Sequence, residues 1–323
     1  MSELVTLEAI RQAAERLKGV AMRTPLVPFP YEGRRVLLKA ESLQPIGAFK
    51  IRGAYNAIAL LSEEERGRGV ITYSSGNHAQ GVARAARALG VKATVVMPEI
   101  APLVKRRRVE ADGAEVILVG PASEERKRVA EDLARERGLT IVPPYNDDNV
   151  IAGQGTAGLE IVEDCSDVAA VLVPIGGGGL ASGVAVAVKA LRPSCRVYGV
   201  EPALAADARE SLAAGRIVSW PAEHVARTIA DGARAQAIGD RTFAHLRALL
   251  DGVVTVSESE IARGVRLAAE QSRLVVEPTG ALTVAAAAFR WDDLGLGKLD
   301  GPVVAVVSGG NVEMEAYREL LRD

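Results

Sequence analysis

Short apolar runs rich in β-branched residues alternate with segments whose apolar positions recur every three or four residues, and the pattern holds along most of the chain. The runs predict strands at residues 35–39, 69–73, 93–97, 115–119, 139–142, 168–173, 196–200, 253–256 and 303–307. Between them the longer period predicts helices that include residues 78–89, 123–137, 180–191 and 258–271. Parallel neighbours need a crossover, usually a helix, so this alternation predicts an α/β fold of mostly parallel sheets covered by helices. Residues 69–145 hold four strand–helix alternations of their own. They are expected to form a small domain inserted into a large one built from residues 1–68 and 146–323, with crossings at the charged stretch Glu63–Arg68 and the polar stretch 143–148.

Composition narrows the function classes. A chain of 323 residues, 48% apolar, can bury a core of two lobes. Its net charge of −2 leaves no electrostatic footprint for a nucleic-acid backbone or an anionic membrane, so the expected partner is a small molecule. No apolar run approaches the roughly 20 residues a membrane span requires. Residues 1–18 lack the apolar segment of a secretion signal, and Cys165 and Cys195 have no framework spacing, so a reducing cytoplasm is expected. The basic run Lys105–Arg108 is followed at once by Glu110 and Asp112 and reads as a solvated helix face. Arginine outnumbers lysine about four to one, which leaves few lysines as candidate nucleophiles.

Four segments carry chemistry. Lys50, in Pro45-Ile-Gly-Ala-Phe-Lys-Ile-Arg-Gly53, follows a turn, opens a helical pattern and has Ile46, Phe49 and Ile51 as apolar neighbours. Such surroundings favour a neutral amine that can attack an aldehyde, although a lysine snorkelling from a helix end fits this segment equally. Gly176, Gly177, Gly178 and Gly179 with Leu180 join an apolar strand to a helix, where backbone N–H groups can converge on an anion. No Lys-Ser/Thr follows, so the loop points to a cofactor monophosphate rather than a nucleotide; a flexible hinge is the plain alternative. Ser74, Ser75, Asn77 and His78 sit at another strand-to-helix junction, able to hold a carboxylate or merely to cap the helix. Ser308 stands at the C-terminal end of an apolar strand, the edge at which such sheets bind ligands.

These segments, in this order, resemble the fold-type II pyridoxal-phosphate enzymes related to tryptophan synthase β, and within them the threonine/serine dehydratase and serine racemase group. The resemblance implies two domains and a pyridoxal 5'-phosphate cofactor carried by Lys50. It implies that Phe49 and Gly232 flank the ring, Asn77 bonds its hydroxyl, Gly176–Gly179 and Leu180 cradle the phosphate, and Ser308 meets the pyridine nitrogen. A neutral hydroxyl there makes the ring a weaker electron sink, which favours loss of a β-hydroxyl over a long-lived carbanion.

The implied reaction is the dehydration of a 3-hydroxy amino acid to a 2-keto acid and ammonia, with Lys50 moving the α-proton and Ser75 facing it as a second acid/base. Racemisation of serine or aspartate, or elimination from an aryl substrate such as phenylserine, is the alternative within the family. A ligand-sensing protein without activity is the alternative outside it. Ser74, Ser75, Asn77 and His78 would bind the α-carboxylate. Glu201, Asp207 and the Ala205 carbonyl match the group's Mg²⁺, Mn²⁺ or Ca²⁺ site, unless Asp207 only occupies a helix first turn. Many dehydratases carry serine where this chain has Ala48. Arg126 falls where related enzymes meet a second carboxylate, which favours 3-hydroxyaspartate, although it also reads as one more helix-surface charge. Relatives are commonly homodimers.

Overall fold

The computed structural model describes residues 3–74, 76–101, 103–120 and 123–322. Among them ten strands form two sheets: β1 (Leu26–Pro28), β2 (Val36–Ala40), β3 (Val70–Tyr73), β4 (Ala93–Pro98), β5 (Glu115–Val119), β6 (Thr140–Ile141), β7 (Ala170–Pro174), β8 (Arg196–Pro202), β9 (Gly252–Val256) and β10 (Val303–Val307). One sheet runs β1-β2-β10-β7-β8-β9, the other β5-β4-β3-β6. All neighbours are parallel except β1 and β2. The nine predicted strands appear within about two residues of their expected bounds. The short antiparallel edge strand β1 was not expected, because three half-exposed residues carry no readable period.

The central strands show why the larger sheet forms. Ala170 and Leu172 of β7, with Val303, Ala305 and Val307 of β10, face one way and pack with the helix Pro278–Phe289. Val171, Val173, Val304 and Val306 face the other way and pack with the helix Gly179–Leu191. Side chains alternate across a strand, so a run of uninterrupted valine and alanine is what two covered faces demand. Each fully buried valine contributes about 1.5–3 kcal/mol. That burial anchors the two strand ends that lead to Gly176 and Ser308.

The helix Lys50–Ala59 sits between the sheets. Ile51, Ala54, Ala57 and Ile58 join the core under the four-stranded sheet, with Val82, Val95 and Met97. On its other side Gly53 meets the helix Asp148–Asp164, where an added Cβ would lie 2.8 Å from the Val150 carbonyl.

Two residues after Lys50, Arg52 is buried against two carboxylates: Nε lies 2.7 Å from Glu41 and Nη1 lies 2.7 Å from Glu160. Lys39, fully buried, meets Glu160 at 2.6 Å and the Thr24 carbonyl at 2.6 Å. Burial alone would raise the Glu41 carboxyl, but the Arg52 charge and hydrogen bonds hold it below the usual range. This four-charge cluster ties the lysine-bearing helix to β2 and to the helix Asp148–Asp164.

Candidate active site

Four chain segments meet around Lys50. The isolated bridge between Ala48 and Gly309, and the hydrogen bond from the Phe49 N–H to the Ser308 carbonyl at 3.0 Å, bring the lysine turn to the end of β10. The helix Asn77–Ala88 crosses close by: a Cβ on Gly81 would lie 3.2 Å from the Lys50 carbonyl carbon. The Lys50 amine is enclosed by protein, 5.1 Å from the Phe49 ring centre and donating to the Pro144 carbonyl at 2.6 Å. Among the described residues no carboxylate pairs with it. Burial lowers the amine to about 8. An unpaired, desolvated amine is the chemical requirement for imine formation, so the snorkelling alternative does not fit.

The glycine loop is closely packed by its neighbours. Gly178 caps the helix Gly179–Leu191 at φ +92°, a conformation side chains rarely adopt, and an added Cβ would come 2.9 Å from the Thr242 Cβ. No side chain caps this helix, so its first-turn N–H groups remain available to an anion. Thr242, fully buried, donates from Oγ1 to the Gly177 carbonyl at 2.9 Å.

Tyr145 closes the loop's other side. A Cβ at Gly177 would fall 2.1 Å from its ring, and burial pushes its phenol up to about 12. Pro144 and Tyr145 thus join the lysine to the glycine loop, although the sequence reading assigned them no role. Gly232 approaches the same loop, its carbonyl 2.7 Å from where a Gly176 Cβ would stand.

At the other strand-to-helix junction, Gly76 precedes the helix Asn77–Ala88 without any side-chain cap, and its N–H donates to the Ser74 Oγ at 3.3 Å. The free first turn faces Lys50, consistent with an anion site. Ser75, expected here as a second acid/base, lies outside the described residues. The His78 ring turns away from any carboxylate: Nε2 donates to the Val142 carbonyl at 3.0 Å. Nδ1 is a buried acceptor without a partner. Burial, with the nearby Lys50 charge, lowers this imidazole to about 3, so it stays neutral. Only the backbone of His78 is then suited to holding an anion.

Asn77 donates from Nδ2 to Glu277 at 2.7 Å and accepts at Oδ1 from Asn311 Nδ2 at 2.8 Å. Glu277 is 3% exposed, and burial with repulsion from Asp231 pushes it to about 8. An acidic residue just before Pro278 reads as an ordinary helix cap, so nothing in the sequence marked it. Asn311 belongs to the Ser-Gly-Gly-Asn segment that was singled out, but for Ser308 alone.

The basic run on the helix Leu103–Ala111 is not simply a solvated face. Lys105 pairs with Asp231 at 2.7 Å and Arg108 donates to Asn311 at 2.8 Å. Asp112 is buried and bonds Arg84 at 2.6 Å. These residues reach across to partners distant in sequence, which charge counting cannot see. Arg84, Arg87 and Arg108 line a cleft of about 470 Å³ behind Asn311. Arg126 lies half-buried on the helix Ser123–Arg137, its guanidinium lowered by burial.

Two implied groups can be tested against these residues. The glycine loop, where side chains would collide, and the enclosed amine of Lys50 fit a phosphorylated aldehyde. Glu201 and Asp207 are buried neighbours. Burial, then Asp207, pushes Glu201 well above the usual range, although it accepts the Ala208 and Arg209 N–H groups at 3.0 and 2.8 Å. Burial raises Asp207 to about 7, and its Oδ2 has no partner. Buried carboxyls that repel one another, one with an unpartnered oxygen, are the donor type a hard cation takes. Among the described residues no cluster of three histidine, cysteine or carboxylate side chains forms, so any further ligands must come from carbonyls or water.

Comparison with known proteins places the chain in a family. The chain is 41% identical over 316 residues to L-threo-3-hydroxyaspartate ammonia-lyase of Saccharomyces cerevisiae, covering 97% of this chain and 95% of that protein. It is 45% identical over 326 residues to L-threonine ammonia-lyase of Thermotoga maritima, covering 98% and 78%. Among solved structures, maize serine racemase superposes with a TM-score of 0.93 at 37% identity, covering 98% of this chain and 97% of that one. The family model described as pyridoxal-phosphate dependent enzyme matches residues 17–309, and the chain belongs to that family.

Proposed function

We propose that this enzyme dehydrates a small 3-hydroxy amino acid, releasing an enamine and water; the enamine then hydrolyses to a 2-keto acid and ammonia. The observation that carries the reading is the Lys50 amine, enclosed without a carboxylate partner and lowered to about 8. Pyridoxal phosphate, when bound, supplies the electron sink for the pair left at the α-carbon. The free first turn at Asn77 orients the substrate carboxylate, together with Ser74 and Ser75. A free Lys50 Nζ would take the α-proton, and that proton balances the β-hydroxyl, which leaves as water; the Pro144 carbonyl, 2.6 Å away, accepts a hydrogen bond from the amine. Phe49 and Gly232 border the ring space, Gly176–Gly179 and Leu180 hold the phosphate, and Ser308 meets the ring nitrogen as a neutral hydroxyl. Ser75, acting as a second acid/base, would add some racemisation.

Arg126 is proposed to meet a second carboxylate, which makes 3-hydroxyaspartate the preferred substrate; the resemblance to hydroxyaspartate ammonia-lyase supports this. Glu201, Asp207 and the Ala205 carbonyl are proposed to take Mg²⁺, Mn²⁺ or Ca²⁺, supported by the unpartnered Asp207 oxygen. Residues 69–145 are proposed as the small domain, although Ile51 and Ile58 from upstream complete its core. The working unit is proposed to be a homodimer. No helix among the described residues is long and apolar enough to cross a membrane.

Incubation with threonine, serine, both 3-hydroxyaspartates and phenylserine, following keto acid and enantiomer together, tests the reading. Keto acid is expected to outpace racemisation. Arg126→Ala should lower kcat/KM for 3-hydroxyaspartate about 10- to 100-fold and leave serine nearly unchanged, the scale of one charge-assisted hydrogen bond. Racemisation faster than keto-acid release would overturn the assignment.

A further inference from the structure

We propose that Glu277 is a positioning residue, which together with Asn311 fixes which end of the Asn77 carboxamide faces the cofactor ring. The inference rests on the reading above that Asn77 bonds the ring hydroxyl.

A carboxamide can present either its oxygen or its NH₂ group, and the two ends are set by the partners around them. At Asn77 both ends are specified. Glu277 Oε1 accepts from Nδ2 at 2.7 Å, and Asn311 Nδ2 donates to Oδ1 at 2.8 Å. Asn311 is itself locked, since its Nδ2 also donates to the Ile46 carbonyl at 2.8 Å and its Oδ1 accepts from Arg108 at 2.8 Å. Gly47 opposite leaves no slack, because a Cβ there would lie 2.4 Å from Asn311 Oδ1. Turning the Asn77 carboxamide over would set NH₂ against NH₂ and oxygen against oxygen in a half-buried place. In the observed orientation one Nδ2 proton is left over, able to reach an acceptor on a ring.

Glu277 is not spent on capping. It stands at the N-cap of the helix Pro278–Phe289 but makes no side-chain cap bond there. Its N–H donates to the Gly309 carbonyl at 3.1 Å, and the bare Gly309 admits the carboxyl, since a Cβ would come 2.5 Å from Oε1. Gly309 follows Ser308 directly. The same strand end therefore carries the expected partner of the ring nitrogen and makes room for the group that orients Asn77.

The test is a double-mutant cycle on the holoenzyme: Glu277→Leu, Glu277→Gln, Asn77→Ala and the pair Glu277→Leu with Asn77→Ala. The readings are the visible band of the lysine-bound cofactor, its pH midpoint and the cofactor dissociation rate. Glu277→Leu is expected to move the midpoint and to speed dissociation about tenfold, the scale of losing one buried acceptor. Glu277→Gln, which keeps an acceptor oxygen, should restore both readings to within about twofold. The pair should match Asn77→Ala alone. Should Glu277→Leu fail to fold, Asn311→Ala reads the same lock from the other end and should give the same shift.

Additive effects in the cycle, or a Gln variant as damaged as the Leu variant, would overturn the inference. A band unmoved by Asn77→Ala would sink this proposal alone. Wild-type protein that forms no band with added cofactor would sink the proposed function as well.

Discussion

Lys39 and Lys50 lie on the same short stretch of chain, and the structure gives them opposite roles. Lys39 is fully buried on β2, with the Glu160 carboxylate and the Thr24 carbonyl each 2.6 Å from its ammonium. Its charge is answered, together with that of Arg52, by Glu41 and Glu160. Lys50 has the Pro144 carbonyl and the Phe49 ring beside its amine and, among the described residues, no counter-ion. Burial penalises a charge in both places, but only at Lys39 is a carboxylate supplied to offset it. A paired lysine is a structural cation; an unpaired one becomes a nucleophile.

The sharpest way to break this comparison is to exchange the chemistry of the two positions. Lys50→Ala is expected to abolish borohydride-stable cofactor attachment and to lower turnover by more than about 10³-fold, since it removes both the anchor and the proton carrier. Lys39→Met should leave attachment intact. If mass spectrometry of the reduced holoprotein found the adduct on Lys39 or elsewhere, the contrast would fail.

Glu160→Gln tests the other half. It leaves Arg52 and Lys39 short of a carboxylate in the interior, which should cost about 3–5 kcal/mol of stability by denaturant unfolding. An unchanged midpoint would show that the cluster is not needed to offset those charges.

The smallest effect is the pH dependence of Lys50. With its amine at about 8, the neutral fraction rises with pH and levels off above that value. Cofactor capture by the cofactor-free protein should therefore slow about tenfold per pH unit below pH 7 and plateau above about pH 9. A profile still climbing at pH 10 would mean that burial does not lower the amine.

Much of the architecture could be read directly. Uninterrupted runs such as Val303–Val307 are buried on both faces, and parallel strands show this as continuous apolar residues. β1 escaped because three residues are too few to display a period. In the site, Lys50, the glycine loop, Asn77 and Ser308 stood out because each interrupts a strand-to-helix pattern with a residue type that packing does not require. Glu277, Tyr145 and Thr242 did not stand out, since an N-cap acid, a loop aromatic and a helical threonine are commonplace where they occur. His78 sits in a segment that read either as a carboxylate contact or as a helix cap, and only the fold shows that its ring proton goes to the Val142 carbonyl.

What the linear chain determined is what depends on neighbours in sequence: the alternation of strand and helix, the glycine run between an apolar strand and a helix, and the choice of a lone lysine at a helix start. What only the folded molecule decided is which groups meet across long separations. Lys39 and Lys50 share a residue type and apolar flanks, yet Glu160 reaches one and not the other. Charge and proton affinity depend on distance in space and on the exclusion of water, and neither quantity is written in the order of residues.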